Sequence, residues 1–320
     1  MPTDVRIAVF GSSSISVPVF DAIAEHHTVV VAVISERARV ERGRVIENPV
    51  QLWAAAKSIP VMNGADVPPA VLRQTILDDR VDLLFLCSYG KLLPQDLLDS
   101  PRLASINLHP SPLPWYRGAA PIERQIMDGC TLSAVTIIQM SGTLDRGDIL
   151  AQQEFEIAAT DYRPDVERSI IATGIPLTLS VIERVARGDV ERRPQVGQGS
   201  YARKIKAEDE MIDWARPVTG VYNQIRALSP DPCAATSLGE NRLRIVRASP
   251  LAGFPDAAGS PSLPGTVALL GRRRAAVRCG DGWLELEILQ FPGKKPMSVD
   301  DLINGRRLTG GMVFSPPTLP

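Results

Sequence analysis

The sequence predicts an α/β protein in two parts, a mainly parallel sheet flanked by helices and then a smaller β-barrel. Three observations predict it. Short apolar runs alternate with helix-period segments through the first half. The pattern fades into polar and basic residues from Gly188 to Lys206, where Gln195, Gly197, Gln198 and Gly199 mark a linker. Beyond it, short strands alternate with Pro/Gly-rich turns, as in a small barrel or a partly open sheet. At 320 residues the chain is long enough for two cores. The expected division is 1–188, a linker at 189–206, and 207–320.

Val5–Phe10 reads as the first strand, stopped by Gly11 and a serine-rich turn, and Val17–Glu25 as a helix. Thr28–Ile34, rich in β-branched residues, is the second strand. Pro49–Lys57 and Pro69–Asp78 read as helices, the latter with proline at the tolerated first position. Val81–Cys87 (VDLLFLC) has the composition of a buried strand, and Leu103–His109 and Ala134–Met140 are two more. Ile170–Ala186 is amphipathic and expected to pack on the sheet. After the linker come a helix at Val218–Leu228 and strands around Arg242–Ala248, Gly265–Leu270, Ala275–Cys279 and Trp283–Gln290. Leu251–Pro264, rich in Pro, Gly, Ser and Ala, reads as a loop.

Composition is that of an ordinary soluble globular chain, 44% hydrophobic and 22% charged with mean hydropathy +0.01. The net charge of −1 is unevenly spread. Residues 201–320 carry 16 Lys/Arg against 12 Asp/Glu, whereas residues 1–200 carry 19 against 24, a mild sign of a polyanion-facing second half. Cys87, Cys130, Cys233 and Cys279 are scattered, with no CxxC pair and no adjacent histidine. Buried reduced thiols fit better than a disulfide framework or a metal site. The N-terminus lacks a basic n-region, and no apolar run approaches the roughly 20 residues that span a bilayer. The expectation is a cytoplasmic monomer with no metal and no membrane partner.

Of three histidines, His26 and His27 read as a solvated helix end. His109 differs: it closes the strand ASINLH, and Pro110 prevents that strand from continuing inside a sheet. Carboxyl ends of strands in open α/β sheets face the ligand crevice. Asn107, two residues earlier, shares that face. Asp145, in the turn after AVTIIQM, lies 38 residues beyond Asn107 and can reach the same crevice. These groups suit acyl transfer to an amine. The Asn107 amide and a protonated His109 would stabilise the oxyanion that forms as the amine attacks. Asp145 would orient the imidazole and relay protons through water. No serine or cysteine nucleophile is needed, since the amine itself attacks.

Ile106–Ile122 (INLHPSPLPWYRGAAPI) and Ala134–Leu150 (AVTIIQMSGTLDRGDIL) resemble the signature segments of folate-dependent formyltransferases. The resemblance extends over nearly the whole chain. It takes in VRIAVFGSSSISVPVF, CSYGKLLP at Cys87–Pro94, YARKIKAEDEMIDW at Tyr201–Trp214, IRALSPDP at Ile225–Pro232 and KKPMSVDDLINGRR at Lys294–Arg307. The C-terminal segments resemble the branch of the family that acts on charged tRNA. The resemblance implies a Rossmann-like catalytic domain followed by an OB-like, tRNA-binding domain. It implies 10-formyltetrahydrofolate as formyl donor and the methionine amino group of initiator methionyl-tRNA as acceptor. It also implies catalytic roles for Asn107, His109 and Asp145, and folate contact by Ser111, Pro112, Leu113 and Pro114. Arg37, Arg39, Arg42 and Arg44 match a loop that the family sets against tRNA, where each could neutralise a phosphate. Pro112 stands where the family usually has leucine, Ser12-Ser13 replaces Thr-Pro, and no glycine precedes Leu144-Asp145.

Three alternatives share parts of this pattern. A sugar-nucleotide N-formyltransferase would use the same groups but would not be expected to keep the motifs from Tyr201 onward. A formyltetrahydrofolate hydrolase typically has an apolar residue at the Asn107 position. A non-catalytic RNA- or folate-binding relative would not need all three polar groups. A nicotinamide dehydrogenase is disfavoured because Gly11-Ser-Ser-Ser lacks the G-x-G-x-x-G turn.

Overall fold

A computed structural model describes residues 4–35, 39–41, 44–252 and 263–315. They form two compact units. The first comprises Met1–Pro121, Leu132–Glu156 and Glu167–Ala202; the second comprises Ile122–Thr131, Ile157–Val166 and Arg203–Pro320. Segments 122–131 and 157–166, early in the chain, thus belong with the C-terminal residues.

Elements follow in order β1 (Arg6–Phe10), α1 (Ser16–His26), β2 (Thr28–Ile34), β3 (Arg39–Glu41), β4 (Arg44–Ile46), α2 (Pro49–Ala56), β5 (Val61–Asn63) and α3 (Pro69–Asp78). Next are β6 (Leu83–Cys87), α4 (Gln95–Leu98), β7 (Ala104–His109), β8 (Arg117–Gly118), α5 (Pro121–Met127), β9 (Leu132–Gln139), β10 (Ile149–Glu156), α6 (Arg163–Arg187) and β11 (Tyr201–Ala202). The main sheet has the order β10-β9-β7-β6-β1-β2-β5. β5, β2, β1, β6 and β7 run parallel, and β9 and β10 extend the sheet antiparallel beyond β7. From β1 the chain winds first through β2 to β5, then restarts on the other side through β6 to β7. That reversal is the topological switch point at which open α/β sheets place their ligand crevice.

The sheet is covered on both faces, which is why LLFLC is buried at every position. One face packs Ala8, Phe10, Val31, Leu84 and Leu86 against Leu72 and Ile76 of α3 and Leu97 of α4. On the other, Phe20 of α1 meets Phe85 in an edge contact and Trp53 in a tilted one. α6 is longer than expected. Among the described residues it alone has the length and apolarity to cross a membrane. Its buried positions Val166, Ile170, Thr178, Val181, Ile182 and Val185 nevertheless trace one helical face. Gly174 lets that face approach closely, since a Cβ there would stand 2.9 Å from Leu108. α6 is therefore an amphipathic helix with one face packed on the sheet. Of the paired histidines, only His26 is exposed; His27, which caps α1, is 8% exposed, and burial lowers its pKa.

The second unit holds α7 (Ala207–Glu210), α8 (Val218–Leu228), β12 (Ala234–Leu238), β13 (Asn241–Leu251), β14 (Val267–Leu270), β15 (Arg274–Arg278), β16 (Trp283–Gln290), β17 (Met297–Ser298) and α9 (Val299–Asn304). Its antiparallel sheet has the order β12-β13-β16-β15-β14, with β17 paired to β16. Residues 312–315 close it: Val267 N–H donates to Met312, Phe314 to Gly265, and Ser315 and Ser237 exchange both bonds. The result is a barrel-like ring whose core includes Ile225, Leu228, Leu243, Ile245, Leu286 and Phe314. Tyr162 completes it, donating to Ala248 O at 2.7 Å and accepting from Ala248 N at 3.0 Å.

Candidate active site

Asn107 and His109 project from one face of the last turn-bound stretch of β7, between β6 and β9. His109 is 4% exposed. Its Nε2 lies 2.9 Å from the Tyr116 carbonyl, which can only accept, so Nε2 carries the hydrogen. The nitrogen left to take and release a proton is Nδ1. It faces Asp145 Oδ2 at 3.8 Å, close for an ion pair but too long for a direct hydrogen bond.

The turn after β7 holds this ring in place. Ser111 N–H donates back to His109 O, and Ser111 Oγ donates to Trp115 O at 2.7 Å. Thr136 Oγ1 of β9 donates to Ser111 O at 2.6 Å, and Gln152 of β10 donates to Thr136 Oγ1 and to Leu113 O. Leu113 packs with Ile138 and Ile149. The antiparallel edge strands thus buttress the turn. Tyr116 turns the chain back at φ +58°, returning its carbonyl to His109.

Asp145 sits in the β9–β10 connection at φ +50°, a left-handed conformation that aspartate tolerates better than most residues. Its Oδ2 accepts from Gly118 N–H at 2.8 Å. Gly147 folds the loop back so tightly that a Cβ there would fall within 1.6 Å of Gln139 O. Asn107 and Asp145 both line a cleft of about 30 Å³, together with Lys91–Leu93, Ile138, Met140, Ser141, Thr143 and Leu144. Leu92 and Leu144 are exposed there.

Asn107, His109 and Asp145 are therefore brought together. Within the 111–114 segment, Ser111 and Leu113 are buried and committed to the turn, while Pro112 and Pro114 keep partial exposure. Arg39 and Arg44 stand on the hairpin β3–β4, which pairs Arg39 with Ile46 and Glu41 with Arg44. Arg37 and Arg42 lie outside the described residues. The sequence gives no sign of Gly118 and the Tyr116 carbonyl, which act through the backbone, or of Gln195, whose side-chain amide bonds to backbone carbonyls and to Arg117. Among the described residues no group of three or more His, Cys, Asp or Glu converges as metal ligands would.

Residues 5–182 match the formyl transferase family, and residues 204–307 match the formyl transferase C-terminal domain. The chain belongs to the formyl transferase family. It is 36% identical over 266 residues to the methionyl-tRNA formyltransferase of Marinobacter nauticus, covering 82% of this chain and 84% of that one. It is 35% identical over 320 residues to that of Symbiobacterium thermophilum, covering 98% and 97%. Among solved structures, the N-formyltransferase from Helicobacter canadensis superposes with a TM-score of 0.67 at 18% identity, over 88% of this chain and 98% of that one. HypX from Aquifex aeolicus does so with 0.65 at 18% identity, over 94% of this chain and 49% of the other. These structural likenesses speak for the shared fold, a Rossmann-like unit followed by an antiparallel one.

Proposed function

We propose that this enzyme transfers the formyl group of 10-formyltetrahydrofolate to the methionine amino group of initiator methionyl-tRNA, in translation initiation. The observation that carries the chemistry is the imidazole Nδ1 facing a buried carboxylate at 3.8 Å, on the same strand face as the Asn107 amide. The acceptor is inferred from relatives named for methionyl-tRNA along nearly their full length, and from the match over residues 204–307.

In this reading the methionine amine attacks the formyl carbon, forming the C–N bond and placing negative charge on the former carbonyl oxygen. The Asn107 amide and the proton on His109 Nδ1 stabilise that oxygen, while Nε2–H remains on Tyr116 O. The attacking nitrogen loses a proton to water held by Asp145. Collapse restores the carbonyl and expels the folate nitrogen, which takes the proton relayed by that same water as it leaves. Asp145 can serve because Gly118 occupies only one of its acceptor positions. Ser111–Pro114 contacts the donor, Pro112 and Pro114 offering surface and Ser111 and Leu113 fixing the turn. Arg37, Arg39, Arg42 and Arg44 meet tRNA phosphates, giving salt-dependent affinity. The enzyme works as a monomer in the cytoplasm, where charged tRNA is found.

The test offers charged initiator tRNA, charged elongator tRNA and an amino-sugar nucleotide, each with 10-formyltetrahydrofolate. Formylation of the initiator tRNA, preferred over the elongator, is expected. Activity on the sugar nucleotide alone would sink the tRNA reading.

A further inference from the structure

Arg117 presents an anomaly. The residue is 6% exposed, yet its guanidinium's hydrogen bonds go to neutral oxygens. Nε and Nη2 donate to Gln195 Oε1 at 3.0 and 2.7 Å, and Nη1 donates to Gln198 O at 3.3 Å. Burial pushes this guanidinium's pKa down, as does the charge of Arg146, while the charge of Asp145 opposes them. Burying a cation whose hydrogen-bond partners are all neutral is costly, so the use it serves is the account to seek.

Gln195 shows what that is. Its Nε2 donates to Asp145 O at 2.8 Å and to Gly147 O at 2.9 Å. Two donors and two acceptor positions exhaust a glutamine amide, so Gln195 is fully used. It bridges the cation of β8 to the backbone of the Asp145 loop. The adjacent residue of β8, Gly118, holds the Asp145 carboxylate. Backbone and side chain of Asp145 are thus fixed from one two-residue strand. β8 is itself fixed by pairing with β11, Tyr201 beside Arg117 and Ala202 beside Gly118. Arg193 also pairs with Ile149, immediately after the Asp145 loop. Two residues of the stretch read from sequence as linker therefore hold this loop, Gln195 at its backbone and Arg193 at the strand that follows it.

We propose that Gln195, oriented by Arg117, is a positioning residue that sets the distance between Asp145 and His109 Nδ1. The proposal rests on Asp145 being the carboxylate of the reacting site. Gln195 touches no reacting atom. It acts by holding the backbone on either side of Asp145's neighbour Arg146, so that the carboxylate cannot drift along the cleft. Misplacement by about 1 Å costs up to about 100-fold in rate when a group must be aligned.

Gln195→Glu separates positioning from bracing. The carboxylate still accepts both Arg117 bonds, now as an ion pair, so a residue needed only to satisfy Arg117 would be replaced without loss. It cannot donate to Asp145 O or Gly147 O. The expected result is a kcat fall on the order of 10- to 100-fold, with KM for folate and tRNA changed less than about 3-fold. The melting temperature should stay near that of the parent. Gln195→Ala, which sets no carboxylate against the two carbonyls, should show a kcat loss of similar size. Asp145→Asn is measured alongside. A Gln195→Glu enzyme within about 2-fold of the parent kcat, with Asp145→Asn inactive, would overturn the positioning role and leave the site reading intact. Full activity of Asp145→Asn would instead remove the site reading on which the proposal rests. Unfolding of both Gln195 variants would also overturn it, by making the residue structural.

Discussion

Two aspartates, one in each unit, are buried almost equally and are bonded in opposite ways. The Asp145 side chain is 10% exposed and that of Asp209 is 8% exposed. Asp209 is caged. Arg124 reaches its two oxygens at 3.0 and 2.6 Å, Arg203 at 2.6 and 2.8 Å, and the Lys206 N–H adds a fifth bond. Burial alone would raise its pKa, but the hydrogen bonds from Arg124, the Lys206 backbone and Arg203 bring it down to about 2. Asp145 accepts one backbone N–H and faces an imidazole across 3.8 Å. Burial therefore does not distinguish them. What differs is spare acceptor capacity: a saturated carboxylate can only hold structure, whereas one with open lone pairs beside a titratable ring can pass a proton.

The largest effect that would break this contrast is at Asp145. Asparagine keeps an oxygen for Gly118 N–H, so Asp145→Asn should melt within a few degrees of the parent. It removes the charge facing His109, and kcat should fall on the order of 1,000-fold, about 4 kcal/mol of transition-state stabilisation. Single-turnover formylation with both substrates saturating is the measurement. A variant that lost stability and kept its rate would make Asp145 a second Asp209.

Asp209→Ala should do the reverse. Removing the carboxylate leaves the largely buried Arg124 facing Arg203, at an expected cost of about 3–5 kcal/mol in unfolding free energy. Enzyme that remains folded should keep its rate. The same contact predicts a pH dependence. Because the folded pKa is depressed, its contribution is complete above the ordinary value of 3.8 and is lost as pH falls through about 2. A shift of that size corresponds to about 2–3 kcal/mol, read from urea unfolding of parent and Asp209→Asn between neutral pH and pH 2. Parallel pH curves for the two would dismiss the cage as a source of stability.

The contrast between the aspartates was only half legible in the sequence. His109 announced itself because Pro110 ends a strand, and Asn107 followed from the two-residue period of that strand. The apolar run Ala134–Met140 marked a strand but not its direction, since an apolar face reads the same both ways and direction lies in the connections. β10 and β12 went unread because ILAQQEFE and AATSL lack a long apolar run. The first turns of α6, carrying Arg163, Asp165, Glu167 and Arg168, hid a helix that extends well ahead of Ile170. Gln195 was least legible. Glutamines and glycines that bond to carbonyls leave no periodicity, and their partners lie about fifty residues away in the chain. Asp209 was missed for the same reason, since its meaning resides in Arg124, 85 residues earlier.

The smallest expected effect is also the finest probe of the cage. Arg203 and Arg124 make similar bonds to Asp209, but the Arg203 side chain is 48% exposed and that of Arg124 is 16% exposed. Water replaces a lost partner more readily at the exposed position, and exposed ion pairs contribute at most about 1 kcal/mol. Arg203→Gln should therefore lower unfolding free energy by about 0.5–1 kcal/mol, and Arg124→Gln by more, because the latter opens the buried side of the carboxylate. Neither belongs to the Asp145 network, so kcat should hold in both. Equal losses from the two arginines would mean that the cage senses charge alone. An Arg203→Gln loss confined to low salt would mean that its contribution is the screened, surface kind and that Arg124 by itself keeps Asp209 ionised.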